Sequence, residues 1–197
     1  MDTLLFDIGN VIVHFDFTEA GIKLAEQSEV EAPLEVIEPI KQELESGQIE
    51  GPEFIARASE MIRFKGTNEE LTKIWEEVFS PNTPMWDSIK TLKGKYPLHL
   101  LSNTSDIHKD YLFRAFDIFE HFDDGIYSYS ARSEKPEPEI YQAAVDELGI
   151  DPEKTLYIDD LEPNIVAGKA AGFVSHHYSP QRHEAFIEEA RSLGIEL

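Results

Sequence analysis

Four short stretches carry side chains suited to chemistry on a phosphate group: Asp7, Ser102-Asn103, Lys135 and Asp159-Asp160. A carboxylate such as Asp7 can attack phosphorus as a nucleophile and form an aspartyl-phosphate. Two further carboxylates beside it repel it unless a cation sits among them. Asp7 with Asp159 and Asp160 makes an all-oxygen set suited to Mg²⁺, which keeps several waters and binds through one or two carboxylates plus substrate phosphate. A serine hydroxyl and an adjacent backbone N–H, at Ser102-Asn103, would hold phosphate oxygens. The Lys135 ammonium would neutralise charge on nucleophile and phosphoryl group alike. Singly, an acid before a helix reads as an N-cap, and Lys135 reads as a surface residue. Their placement argues otherwise, because three of the four stretches close an apolar run.

Those runs are the elements that must position the groups. Thr3-Leu4-Leu5-Phe6 stops at Asp7, Leu98-His99-Leu100-Leu101 ends in Ser102-Asn103, and Thr155-Leu156-Tyr157-Ile158 ends in Asp159-Asp160. Each reads as a buried parallel strand, with a weaker one at 172–175. Helical patterns over 105–116, 137–148 and 161–171 lie between them, with Lys135 on the loop before the second. The alternation predicts an α/β fold: a Rossmann-like parallel sheet with helices on both faces. In such sheets function sits at the carboxyl ends of the strands, where these polar residues fall. Residues 17–90 differ. Helical patterns over 18–29, 33–46, 51–64 and 68–79, then 84–94 leading back to the sheet, are separated by Pro33, Ser46-Gly47, Gly66-Thr67-Asn68 and Pro81 to Pro84. They predict a helical insertion in a core formed by 1–16 and 91–197.

Composition narrows the partners. The chain has 197 residues, 17 Lys and Arg against 39 Asp and Glu, and a formal net charge of −22. So acidic a protein lacks the basic footprint that nucleic acid or an anionic membrane requires. With 41% apolar residues it can bury a sizeable core, which argues against disorder. No cysteine is present, which excludes disulfides, zinc-thiolate sites and a cysteine nucleophile. The opening apolar run is cut short at Asp7, so no signal peptide is expected, and no run is long enough to span a membrane. The expectation is a cytoplasmic protein. Between 26 and 60, ten acids face only Lys41 and Arg57, a pattern that reads as a solvated helix face.

Together, the stretches Phe6-Asp7-Ile8-Gly9-Asn10-Val11-Ile12-Val13, Leu101-Ser102-Asn103-Thr104, Lys135-Pro136-Glu137-Pro138-Glu139-Ile140-Tyr141 and Tyr157-Ile158-Asp159-Asp160 with Asn164-Ile165 resemble the haloacid dehalogenase superfamily of phosphohydrolases. The insertion falls where that superfamily places its smaller cap. Glu45-Ser46-Gly47-Gln48-Ile49 with Phe54 is similar to the cap segment of bacterial sugar-1-phosphate phosphatases. The resemblance implies a Mg²⁺-dependent phosphatase acting on a small phosphorylated metabolite such as a sugar 1-phosphate. It implies Asp7 as nucleophile and metal ligand, Ser102 and Asn103 as phosphate holders, and Lys135 as the bridge between nucleophile and phosphate. Asp160, with Asp159, would serve the metal, and Gly9 would offer it a backbone carbonyl.

One position departs from the family pattern. The phosphatases usually carry a second aspartate two residues after the nucleophile, as general acid and base; here it is Gly9, although the sugar-1-phosphatase-like group shares Asp-x-Gly-Asn-Val. A general acid is typically worth ~10²–10⁴ in rate. Without one, the expectation is a preference for good leaving groups, with His14 and Asp16 as candidates to replace the missing acid. Two other readings remain open: a 2-haloacid dehalogenase, which needs no metal, and a non-catalytic regulatory protein that binds phosphate and Mg²⁺. His176-His177 and His183 read as strand end and surface rather than as a metal site, because adjacent strand residues point to opposite faces. Trp75 and Trp86 read as packing residues of the insertion and its hinge.

Overall fold

The structure, a computed structural model, describes residues 1–197. Strand β1 (Thr3–Phe6) leads through β2 (Val13–Phe15) into helices α1 (Thr18–Glu26), α2 (Pro33–Glu45), α3 (Gly51–Ile62) and α4 (Asn68–Glu76). The chain returns by β3 (Phe79–Pro81) and α5 (Thr83–Leu92) to β4 (Leu98–Ser102), α6 (Asp106–Ala115), β5 (Asp124–Tyr127) and the single turn α7 (Ser128–Ala131). There follow α8 (Pro138–Leu148), β6 (Thr155–Asp159), α9 (Glu162–Ala170), β7 (Val174–His177) and α10 (His183–Ser192).

Five strands form one parallel sheet in the order β5-β4-β1-β6-β7. Strand β1 takes the centre because all four of its residues are buried, which suits a strand covered on both faces. Alternate residues supply two cores. Leu4, Phe6, Leu98, Leu100, Leu156 and Ile158 pack on one face with Met85, Ile89, Phe186 and Ala190 of α5 and α10. Leu5, Leu101 and Tyr157 pack on the other with Ile140, Tyr141, Ala144 and Ile165 of α8 and α9. Strand order reverses around β1, so the carboxyl ends of β1, β4 and β6 meet at a topological switch point. This is the parallel sheet with helices on both faces that the patterning predicts.

Helices α1–α4 bury a third cluster of their own, including Leu24, Ile37, Leu44, Phe54, Ile62 and Trp75. They join the sheet through an antiparallel ribbon in which β2 pairs with β3, Val13 opposite Pro81 and Phe15 opposite Phe79. Helix α5, by contrast, packs on the sheet through Met85, Ile89 and Leu92. Strands β2, β3 and β5 and helix α10 lie outside the elements that the patterning predicts, and β7 falls two residues beyond the expected 172–175. No helix is long and apolar enough to cross a membrane.

The end of α2 is clamped to the sheet body. The Ser128 hydroxyl donates to the Glu45 carbonyl at 2.7 Å. Gly47, at φ +69°, lies so close to the Tyr129 carbonyl that no Cβ fits there. Gly47→Ala combines a left-handed backbone penalty with overpacking, an expected loss of about 2–4 kcal/mol. Denaturant unfolding checks this, and an unchanged midpoint would mean that the segment does not rest on α7 in solution.

Candidate active site

Asp7 is the first residue beyond β1, and its backbone N–H still donates to Ile158 O of β6 at 2.9 Å. The strand ladder therefore continues into the residue that presents the carboxylate. Ser102 closes β4 and Asp159 closes β6. Lys135 arrives on the loop before α8, whose first turn is set by Pro138. All four are buried.

The Lys135 ammonium spends its three protons on Asp7 Oδ1 at 2.8 Å, Asp159 Oδ2 at 2.7 Å and the Leu101 carbonyl at 2.9 Å. Burial works against that charge, but Asp7 and Asp159 on either side outweigh it and raise the ammonium above its ordinary value. For Asp159 burial pushes upward, and the Lys135 ammonium overcomes it and holds the carboxyl below the ordinary range. Asp7 goes the other way: burial pushes it up to about 6 against the pull of Lys135, with Asp159 adding to the rise. Burial likewise raises Asp160, opposed by the hydrogen bond from Asn10.

The two neighbouring aspartates do different work. Asp159 accepts from Lys135, from the Tyr157 hydroxyl, from Leu161 N at 2.8 Å and from Asn164 Nδ2 at 3.0 Å. Both its oxygens are thus turned to protein donors, and it acts as the anchor of Lys135. Asp160 accepts from Asn10 Nδ2 at 3.1 Å and stays half-buried at the cavity wall. One carboxylate oxygen from each of Asp7, Asp159 and Asp160 lies within 4.8 Å of the others. Three acids sharing one ammonium leave an excess of negative charge, and an all-oxygen donor set of this kind fits a hard divalent cation.

The Asn103 side chain serves the loop that carries Lys135. Its side-chain Oδ1 accepts from Lys135 N at 2.8 Å and its Nδ2 donates to Lys135 O at 2.9 Å. The amide thereby fixes the loop that aims Lys135, and Ser102 is left to face the cavity. Two adjoining cavities open here, about 170 Å³ beside Asp7, Lys135 and Asp160, and about 150 Å³ beside Ser102. Gly9, Asn103 and Phe15 line both.

His14 and Asp16 lie away from these cavities. Asp16 is exposed, and its carboxylate accepts from Thr18 N at 2.8 Å at the start of α1. His14 faces an opening on the other side of Asp160, with His177 and Arg182. His177 Nε2 donates to the Asp160 carbonyl at 2.9 Å, and His176 pairs with Glu189 on α10. Trp75 is buried in the α1–α4 cluster, and Trp86 donates to Ile12 O at 2.8 Å. Tyr157 was not singled out from sequence; its place two residues before Asp159 on one strand, hence on the same face, was the available signal. Lys41 and Glu45 of α2, which reach the smaller cavity, carried no signal beyond their charge.

A carboxylate at a strand tip, a lysine between two aspartates and a serine on the next strand are groups suited to phosphoryl- or acyl-transfer chemistry. The chain belongs to the haloacid dehalogenase-like hydrolases, whose sequence profile matches residues 1–172. It is 29% identical over 182 residues to a D-ribitol-5-phosphate phosphatase from Bacteroides thetaiotaomicron, covering 86% of this chain and 88% of that one. Among solved structures, a HAD-family enzyme from the same organism in complex with magnesium superposes with a TM-score of 0.84 at 27% identity, covering 95% of this chain and 98% of the other. An aspartate-to-alanine variant of that enzyme, in complex with magnesium and inorganic phosphate, matches with a TM-score of 0.78 at 28% identity, over 89% of this chain and 93% of the other.

Proposed function

We propose that this hydrolase is a Mg²⁺-dependent phosphatase that removes phosphate from a small phosphorylated carbohydrate through an aspartyl-phosphate on Asp7. The observation that carries the reading is the Lys135 ammonium held 2.8 Å from Asp7, at the wall of a cavity that also reaches Asp160. Its support comes from a relative named for ribitol phosphate and from neighbours that hold magnesium and inorganic phosphate. In this reading the residues divide the work. Asp7 attacks phosphorus, Lys135 offsets repulsion between the carboxylate and the phosphate dianion, and the Ser102 hydroxyl with the Asn103 backbone N–H holds phosphate oxygens. Asp7, Asp160 and the Gly9 carbonyl hold Mg²⁺, with Asp159 alongside fixing Lys135. The bound ion would neutralise phosphate charge. Helices α1–α4 serve as a cap that excludes water during phosphoryl transfer and admits it for hydrolysis. The relative's name favours a phosphorylated polyol, a primary alcohol ester, alongside the sugar 1-phosphate suggested by the Asp-x-Gly-Asn-Val pattern.

The test is phosphate release from alditol phosphates, sugar 1-phosphates and sugar 6-phosphates, with and without Mg²⁺. Chelator or Asp160→Ala should remove most of the activity, and Ca²⁺ should substitute poorly because it prefers more ligands at longer distances. Full activity in chelator would restore the metal-free dehalogenase reading. Mg²⁺ binding without turnover of any ester would favour the regulatory one.

A further inference from the structure

We propose that Glu45 of α2 protonates the leaving oxygen, supplying from the opposite wall of the cavity the proton that residue 9 cannot. This rests on the phosphatase reading above. The cavity of about 150 Å³ is bounded by Gly9, Ser102 and Asn103 on one side and by Lys41 and Glu45 on the other. A space of that size holds roughly a six-carbon molecule. A leaving group that fills it, attached to phosphorus at the Ser102 end, therefore contacts both walls.

Three ionisable side chains line this cavity. His108 is buried, directs Nε2 to the Trp75 carbonyl at 3.0 Å, and is pushed by burial down to about 4, so it is neutral near pH 7. Lys41 is set 3.5 Å from Glu38 and 3.9 Å from Glu45, its ammonium committed to those two carboxylates. Glu45 remains. Its side chain is only 29% exposed. Burial raises its carboxyl, Lys41 opposes the rise, and Glu134 and Glu38 add to it. Burial of that kind favours the neutral, protonated carboxyl, the form a proton donor needs.

The step balances. As an Asp7 oxygen bonds to phosphorus, the bond from phosphorus to the leaving oxygen breaks, and its electron pair stays on that oxygen, which takes the Glu45 proton. Water then attacks the phosphorus of the aspartyl-phosphate and gives a proton to the Glu45 carboxylate. The Asp7–phosphorus bond breaks, which releases inorganic phosphate and restores both groups.

The experiment compares ribitol 5-phosphate, a poor leaving group, with p-nitrophenyl phosphate, a good one, in the full chain with Mg²⁺. Glu45→Gln should lower kcat on the alkyl ester by about 10²-fold, the low end for a general acid, and at least about tenfold more than on the aryl ester. Wild-type kcat on the alkyl ester should fall as pH rises through the Glu45 pKa, and Glu45→Gln should lose that limb. Gly9→Asp added to Glu45→Gln should recover most of the loss. The added Cβ would meet only the edge of the Phe15 ring, at 3.1 Å, and Phe15 is half-exposed and free to shift. Equal losses on both esters, a change in KM alone, or no rescue by the second substitution would overturn the assignment. Inactivity of the wild type on both esters would overturn the phosphatase reading, and this one with it.

Discussion

Asp7→Asn should cut phosphate release by roughly 10³–10⁶-fold, the range expected when a covalent nucleophile is removed. Asparagine keeps the shape of the side chain, so its neighbours stay in place. It also removes one of three acids that share a single ammonium, which relieves repulsion among Asp7, Asp159 and Asp160. The melting temperature should therefore hold or rise while turnover disappears. Steady-state phosphate release and a thermal melt on the same preparation make the check. Activity within tenfold of the wild type would remove Asp7 from the role, and a large fall in melting temperature would leave the loss of turnover attributable to unfolding.

Lys135→Ala carries the other large effect, and it should appear in stability as well as in rate. The ammonium is buried with Asp7 and Asp159 at 2.8 and 2.7 Å. Removing one member of a buried ionic set strands the remaining charge, at a typical cost of about 3–5 kcal/mol. The chemical step also loses the cation between nucleophile and phosphate, and a loss of about 10²–10³-fold in kcat is expected. Lys135→Arg should recover only part, because a planar fork cannot direct three protons to Asp7, Asp159 and the Leu101 carbonyl as the ammonium does. Denaturant unfolding and kcat are the readouts. If both are unchanged in Lys135→Ala, the lysine does not sit between the aspartates in solution.

The strands that carry chemistry were legible because they are covered on both faces, so that β1, β4 and β6 read as short apolar runs stopped by polar residues. Strand β5 lies at a sheet edge and buries only Ile126, which leaves no apolar run to read. Strands β2 and β3 have three residues each, and what makes them strands is their pairing across more than sixty residues of chain. Helix α10 buries only Phe186 and Ala190, a stripe too sparse to stand out from the acids around it. At the site, residue type and order located Asp7, Ser102, Lys135 and Asp159-Asp160. Which way an amide or a carboxylate turns is a tertiary matter. The Asn103 side chain grips the Lys135 backbone, and Asp159 spends its oxygens on Lys135, Tyr157, Leu161 and Asn164.

The β2–β3 ribbon makes the α1–α4 block interchangeable in a way that the sheet would scarcely register. Val13 stands opposite Pro81, so the chain departs and rejoins at one place, and beyond a few ties such as Ser128 to Glu45 and Gly51 to Asp106 the sheet sees a closed loop. The entropy of closing such a loop changes by only about 0.6 kcal/mol for each doubling of its length. A shorter, longer or unrelated insert could be grafted at the ribbon while β1, β4 and β6 kept Asp7, Lys135 and Asp160 in register. Phe15 and Phe79, facing each other across the ribbon, would travel with the graft junction and set the floor beneath any new insert. Substrate choice could thus drift by recombination in one half of the molecule, with the bond-breaking half left under separate selection.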